Sequence, residues 1–267
     1  MLIGKSIRME RLFNRITKRT IIVPLDHGVS VGPIPGLVDM RKTINDVVEG
    51  GANAVLQHKG LVRCGHRRSG KDVGLIVHLS ASTSLAPYPN AKTLVGSVVD
   101  ALKLGADGVS VHVNLGDEYE SQMLHDLGEI ASQAADWGMP VMAMVYARGT
   151  KVSSEFDANI VAHCARVGVE LGADVVKVPY TGDAESFSRV VEGCCVPVVI
   201  AGGPKLDSER ALLQMAHDSI LAGGAGLSIG RNIFQAENPF LLVQALDRVV
   251  HHDMSVDEAM AMLEAAK

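Results

Sequence analysis

Short apolar runs alternate along the chain with longer segments whose apolar positions recur every three to four residues. Eight runs, at about 20–26, 54–59, 74–80, 108–114, 140–146, 175–180, 196–202 and 226–230, are rich in Val, Ile and Leu and carry the signature of buried strands. The intervening segments 39–49, 90–104, 118–137, 155–171, 184–192, 207–221 and 239–251 have helical periodicity. Charges of both signs between Arg8 and Arg19 predict an N-terminal helix with a solvated face. Strands that alternate with helices pair in parallel. Eight such units predict a (β/α)8 TIM barrel of class α/β, one domain over residues 1–267 with a short helical segment at 1–19. A doubly wound open sheet is the alternative. It would carry a glycine-rich fingerprint after its first strand, which Asp26-His27-Gly28-Val29-Ser30-Val31-Gly32 resembles only loosely.

An internal repeat supports the barrel. Gly50-Gly51-Ala52-Asn53-Ala54-Val55 returns as Gly105-Ala106-Asp107-Gly108-Val109, as Gly172-Ala173-Asp174-Val175-Val176 and as Gly223-Gly224-Ala225-Gly226-Leu227. Each copy ends a helix-like stretch and opens a strand, so its glycine suits the left-handed position that terminates a helix. Pro140 and Pro197 stand at strand starts, where the missing N–H is not needed.

Composition narrows the class. The chain is 47% apolar and only 4% aromatic, and its charges sum to −5 without a basic face, which argues against nucleic acid as a partner. No run approaches the length of a membrane span, and Met1-Leu2-Ile3-Gly4-Lys5 is too quickly charged for a signal peptide. Cys64, Cys164 and the adjacent Cys194 and Cys195 form no CxxC pair. A cytoplasmic protein with no membrane partner is expected.

In a barrel the chemistry sits at the C-terminal ends of the strands. Lys177, on the sixth strand, is the most informative residue there. Buried without a partner it is costly, and its neutral amine is a nucleophile toward carbonyls; a lysine snorkelling from the strand end is the other reading. The ends of the seventh and eighth strands, Gly202-Gly203-Pro204-Lys205 and Gly230-Arg231-Asn232, are where barrels often bind phosphate. Asp26 is either a general acid/base or an anchor for the turn at Gly28. Tyr146 is either a core aromatic or a proton donor facing the lysine. His58, Lys59, His78, His112, Asn114 and Tyr180 also fall at strand ends. Three converging histidines could bind a metal, but no His-x-His pair or nearby acidic spacing supports one, so buried, hydrogen-bonded histidines and no metal are expected. His251 and His252 are expected at a helix-end surface.

Several stretches together resemble the archaeal-type class I fructose-bisphosphate aldolases over nearly the whole chain. They are Val23-Pro24-Leu25-Asp26-His27-Gly28-Val29, Met144-Val145-Tyr146-Ala147-Arg148-Gly149, Val176-Lys177, Ala201-Gly202-Gly203-Pro204-Lys205 and Ile229-Gly230-Arg231-Asn232-Ile233-Phe234-Gln235. The resemblance implies Lys177 as the Schiff-base residue, Tyr146 as proton donor and Asp26 as proton acceptor. It implies substrate contacts from Asp26, His27, Gly28, Val29 and Ser30, from Tyr146, Ala147 and Arg148, and from Gly202, Gly203, Gly230 and Arg231. No metal or organic cofactor is implied, and a homo-oligomer, often a decamer, is. Members that cleave fructose bisphosphate tend to carry Glu-His-Gly-Pro where this chain has Ser30-Val31-Gly32-Pro33. That difference favours the branch that transfers a fragment of 6-deoxy-5-ketofructose 1-phosphate to L-aspartate semialdehyde, on a route to 3-dehydroquinate and the aromatic amino acids. Fructose-1,6-bisphosphate aldolase is the rival reading, and a non-catalytic barrel that binds sugar phosphates is a second.

Overall fold

The computed structural model describes residues 2–65 and 69–266. Eight parallel strands close a barrel: β1 (Thr20–Pro24), β2 (Ala54–His58), β3 (Gly74–His78), β6 (Gly108–Leu115), β7 (Val141–Ala147), β8 (Val175–Pro179), β9 (Val198–Ala201) and β10 (Gly226–Ser228). Each neighbours the next in that order, and β10 returns to β1. The open-sheet alternative is excluded by that closure. Between β3 and β6 a two-stranded antiparallel hairpin, β4 (Ser80–Ala81) and β5 (Thr93–Leu94), rises beside the barrel mouth.

The helices are α1 (Ile3–Leu12), α2 (His27–Val31), α3 (Met40–Glu49), α4 (Val62–Gly65), α5 (Val98–Lys103), α6 (Glu120–Asp136), α7 (Ala158–Glu170), α8 (Ala184–Glu192), α9 (Glu209–Leu221), α10 (Arg231–Phe234), α11 (Pro239–His252) and α12 (Val256–Ala265). Side-chain oxygens of Asp39, Ser97, Asp157, Asp183, Ser208, Asn238 and Ser255 accept backbone N–H groups at seven helix starts. These bonds satisfy donors that the first helical turn leaves open.

The repeat fixes both turns and register. Gly51, Gly105, Gly172 and Gly223 all have positive φ, from 77° to 115°. In the first three copies the Asn or Asp two residues on from that glycine then locks the preceding strand, whereas the fourth has Ala225 there. Asn53 Oδ1 accepts from the Ile21 N–H at 2.7 Å, Asp107 Oδ2 from Leu75 at 3.1 Å and Asp174 Oδ2 from Val141 at 3.0 Å. Two of these carboxylates also hold α1 across the bottom of the barrel, through Arg11–Asp107 at 3.0 Å and Lys5–Asp174 at 2.9 Å. Leu12 and Phe13 thereby close the barrel floor against Ile22, Ala54, Leu56, Ile76, Met142 and Val175. The opposite faces of the strands pack against the helices in the larger core.

Three expectations need correction. The N-terminal helix covers Ile3–Leu12 and stops there, because the Asn14 side chain accepts from the N–H groups of Ile16 and Thr17 and turns the chain. Segment 90–104 is helical only from Val98. Thr93 and Leu94 pair with β4, and the Ser97/Asp100 capping box sets the helix start. His251 is buried, not at the surface: its ring nitrogens meet Thr17 Oγ1 and Asn53 Oδ1, each at 2.9 Å. His252 is exposed, as its helix-end position suggests.

Candidate active site

Successive side chains along a barrel strand alternate between the barrel interior and the helices. That parity sends His58, His78, His112, Met144, Tyr146, Lys177 and Ser228 into one cavity of about 370 Å³ at the C-terminal mouth. Register aligns them: His58 pairs with His78 across β2 and β3, and His112, Met144 and Lys177 lie side by side across β6, β7 and β8. Lys177 is 7% exposed, and its Nζ lies 4.0 Å from Met144 Sδ. The amine points into the barrel, so the snorkelling reading falls.

Asp26 follows β1 and enters the same cavity with His27 and Ser30. Its carboxylate stands 3.5 Å from His27 Nδ1 and 3.9 Å from His78 Nε2. Burial is the largest influence and works to raise the Asp26 pKa, but the combined fields of His78, His27, Lys177 and His58 outweigh it and hold the group below 3.8. Burial pushes His78 down to about 4, although the Asp26 charge opposes this. Burial likewise lowers His27, His58 and His112. At neutral pH the cluster therefore presents one carboxylate among uncharged imidazoles. A base is available beside the lysine.

Two of the imidazoles are tethered by hydrogen bonds, while His27 Nδ1 is buried without a hydrogen-bond partner among the described residues. His78 Nδ1 meets Ser110 Oγ at 2.7 Å. Asn114 Nδ2 donates to the Asn90 carbonyl at 2.7 Å, so its Oδ1 accepts from His112 Nε2 at 2.9 Å, which fixes that ring's tautomer. Tyr146 packs on the His112 ring at 4.9 Å between centroids, and the Arg148 guanidinium lies 5.3 Å from the tyrosine centroid. Asp26, His58 and His78 bring ligand-type atoms within 4.8 Å of one another. The acidic partner that the spacing of the histidines lacks is thus supplied by the fold, from the end of β1.

The β9 and β10 loops form another wall. Gly202, Gly203, Gly230 and Arg231 all line the cavity. Glycine is required at two of them: a Cβ on Gly202 would lie 2.6 Å from Ile229 Cγ2, and one on Gly230 would lie 2.6 Å from His27 Cε1 and 2.7 Å from the Pro24 carbonyl. Arg231 Nη2 donates to the Gly203 carbonyl at 3.1 Å, and Asn232 Nδ2 donates to Gly202 and Pro204, so the two loops are braced together. Such a wall can receive an anion close to backbone.

Of the expected contact residues, Gly28, Val29 and Ala147 stand outside the cavity wall. Gly28 and Val29 lie on α2 beside it, and Ala147 has outward parity and packs in the helix-facing core. Lys59 pairs with Asp100 at 3.6 Å, and the Tyr180 ring packs on Phe187, both away from Lys177. Lys92 and Ser82, from the β4–β5 hairpin, do line the cavity and carry no sequence signal. The buried hydroxyl of Ser228 also faces it, without a hydrogen-bond partner among the described residues.

A closed barrel with a buried lysine, a neighbouring carboxylate and an anion-receiving wall defines an enzyme of the Schiff-base-forming aldolase class. Comparison with known proteins agrees. The chain belongs to the DeoC/LacD family aldolases, whose model matches residues 20–236. It is 43% identical over 258 residues to 2-amino-3,7-dideoxy-D-threo-hept-6-ulosonate synthase of Halobacterium salinarum, covering 97% of this chain and 96% of the relative. It is 38% identical to 2-amino-4,5-dihydroxy-6-oxo-7-(phosphonooxy)heptanoate synthase of Streptomyces griseus, covering 98% and 96%. Among solved structures, an archaeal fructose-1,6-bisphosphate aldolase with its catalytic lysine covalently bound to the carbinolamine intermediate superposes with a TM-score of 0.86. That aldolase is 30% identical, with 92% of this chain and 99% of that one covered. No helix among the described residues is long and apolar enough to cross a membrane.

Proposed function

We propose that the protein is a transaldol synthase that converts 6-deoxy-5-ketofructose 1-phosphate and L-aspartate semialdehyde to 2-amino-3,7-dideoxy-D-threo-hept-6-ulosonate and hydroxypyruvaldehyde phosphate. The full-length similarity to the Halobacterium synthase carries this reading. The residues around Lys177 suit the chemistry.

Lys177 Nζ adds to the C5 ketone of the donor, and loss of water leaves an iminium. Asp26 takes the C3 hydroxyl proton. The C3–C4 bond then breaks: C3 departs as the aldehyde of hydroxypyruvaldehyde phosphate, and the bonding pair passes into an enamine on Lys177. The enamine carbon attacks the aldehyde of L-aspartate semialdehyde, whose oxygen is protonated, and water releases the seven-carbon product. Tyr146, on the strand beside Lys177, serves as proton donor in forming and hydrolysing the iminium. The nitrogen of Lys177 is the electron sink throughout, so the reading needs neither metal nor organic cofactor.

The test is borohydride reduction in the presence of the donor, followed by mass analysis. An irreversible adduct on Lys177, absent from Lys177→Ala, is expected, and product formation should depend on L-aspartate semialdehyde. Ready cleavage of fructose 1,6-bisphosphate without that acceptor would overturn the reading in favour of an ordinary aldolase.

A further inference from the structure

Cationic side chains enter the cavity from two sides of Lys177. Arg231 comes with the glycines of the β9 and β10 loops, on one side of β8. On the other side, Arg148 follows β7 and Lys92 comes from the β4–β5 hairpin. Lys92 is half-buried and held in place, its Nζ donating to Ser82 Oγ at 2.5 Å and to the Pro89 carbonyl at 3.3 Å. The hairpin is itself tied to α2, where Ser30 Oγ donates to the Ser82 carbonyl at 3.3 Å and the Ser84 N–H donates to Ser30 at 2.9 Å. Among the described residues no carboxylate lies within ion-pair distance of Lys92, and Arg148 has only Glu155 at 3.6 Å. Burial and then the nearby Arg148 charge lower the Lys92 pKa, and the Asp26 carboxylate only partly opposes them. Two cations held together in a cavity wall are a cost to the empty protein that an anionic ligand offsets.

The proposed reaction has a use for a second anion site. Both aldehydes that meet the Lys177-bound fragment carry their negative charge at a similar reach. Phosphorus lies four bonds from the aldehyde carbon in hydroxypyruvaldehyde phosphate, and the carboxylate carbon lies three bonds from it in L-aspartate semialdehyde. The two occupy the same place in turn, since one leaves the carbon that the other attacks. We propose that Lys92 and Arg148 form the anion subsite beyond the bond that breaks and forms, holding the phosphate of the departing aldehyde and then the carboxylate of the incoming one, with Lys92 a determinant of acceptor specificity. The inference rests on the function proposed above and adds a residue and a role to it.

The experiment separates the two claims by using hydroxyacetone, an uncharged ketone that reaches the same enamine without a phosphate. Borohydride trapping of hydroxyacetone on Lys177 reports the Schiff-base chemistry, and its failure in the parent protein refutes the proposed function. Addition of that enamine to L-aspartate semialdehyde reports the subsite. Lys92→Gln should raise the acceptor KM at least tenfold, Lys92→Arg should restore it to within a few-fold, and addition to propanal, which has no carboxylate, should proceed alike in all three proteins. An acceptor KM within twofold of the parent in Lys92→Gln overturns the subsite. So does equal loss with propanal, or loss of trapping in the variant, because each would place Lys92 in support of the fold or of the lysine.

Discussion

Tyr146→Phe isolates the hydroxyl from everything else the tyrosine does. Its ring packs on His112 at 4.9 Å between centroids, with the Arg148 guanidinium 5.3 Å from the centroid, and phenylalanine preserves both contacts. The hydroxyl has no hydrogen-bond partner among the described residues and is not a buried orphan, so its removal should change stability by less than about 0.5 kcal/mol. A positioned proton donor contributes about a hundred- to ten-thousand-fold to rate, or roughly 3–5 kcal/mol of barrier at about 1.4 kcal/mol per decade. The variant should therefore melt with the parent and lose at least a hundredfold in kcat. Single-turnover mixing followed by borohydride quenching should show the Lys177 adduct forming slowly. A kcat within tenfold of the parent would refute the assignment of proton donor. A lowered melting temperature with a matching loss of rate would show instead that the hydroxyl is structural.

Other positions give independent checks. Gly230→Ala drives a Cβ to within 2.7 Å of the Pro24 carbonyl and 2.6 Å of His27, so it should destabilise by about 1–3 kcal/mol in urea titration and raise the donor KM. Gly128→Ala, in the middle of α6 with open space around its Cβ, should stabilise by about 0.5–1 kcal/mol in the same titration and leave kinetics alone. His78 should make the protein acid-sensitive. Its folded pKa of about 4 lies below the unfolded 6.5, so its contribution is complete above 6.5 and is lost as pH falls toward 4. The loss is roughly 3 kcal/mol over that window, and Asp26, also lowered, weakens the fold only below its ordinary 3.8. Urea midpoints against pH should be flatter for His78→Gln, and an unchanged slope would refute the account.

Much of the barrel was legible because its instructions are local. The Gly-Ala-Asp phrase encodes a left-handed helix end and a side-chain acceptor at the next strand, and both act within a few residues. The Ser255-x-x-Glu258 capping box is likewise a local signal, for the start of α12. The hairpin was not readable in this way. Thr93 and Leu94 find their partners across a loop, and a short apolar stretch followed by a true helix start reads as one longer helix. His251 was misplaced for a similar reason: its partners, Thr17 and Asn53, come from segments far away along the chain.

The sequence alone determined the eight barrel strands and the glycine turns that lead into four of them, and therefore that Lys177, Tyr146 and His112 stand near the C-terminal ends of their strands. These follow from turn chemistry and from short apolar runs that alternate with segments of helical period. Only the tertiary structure decided which polar groups share the lysine's field. Closure of the sheet brings Asp26 to His78, and the hairpin carries Lys92 to the cavity beside Arg148. Burial and the charges it brings together then set which of them is ionised, because both depend on neighbours that no local stretch of chain contains.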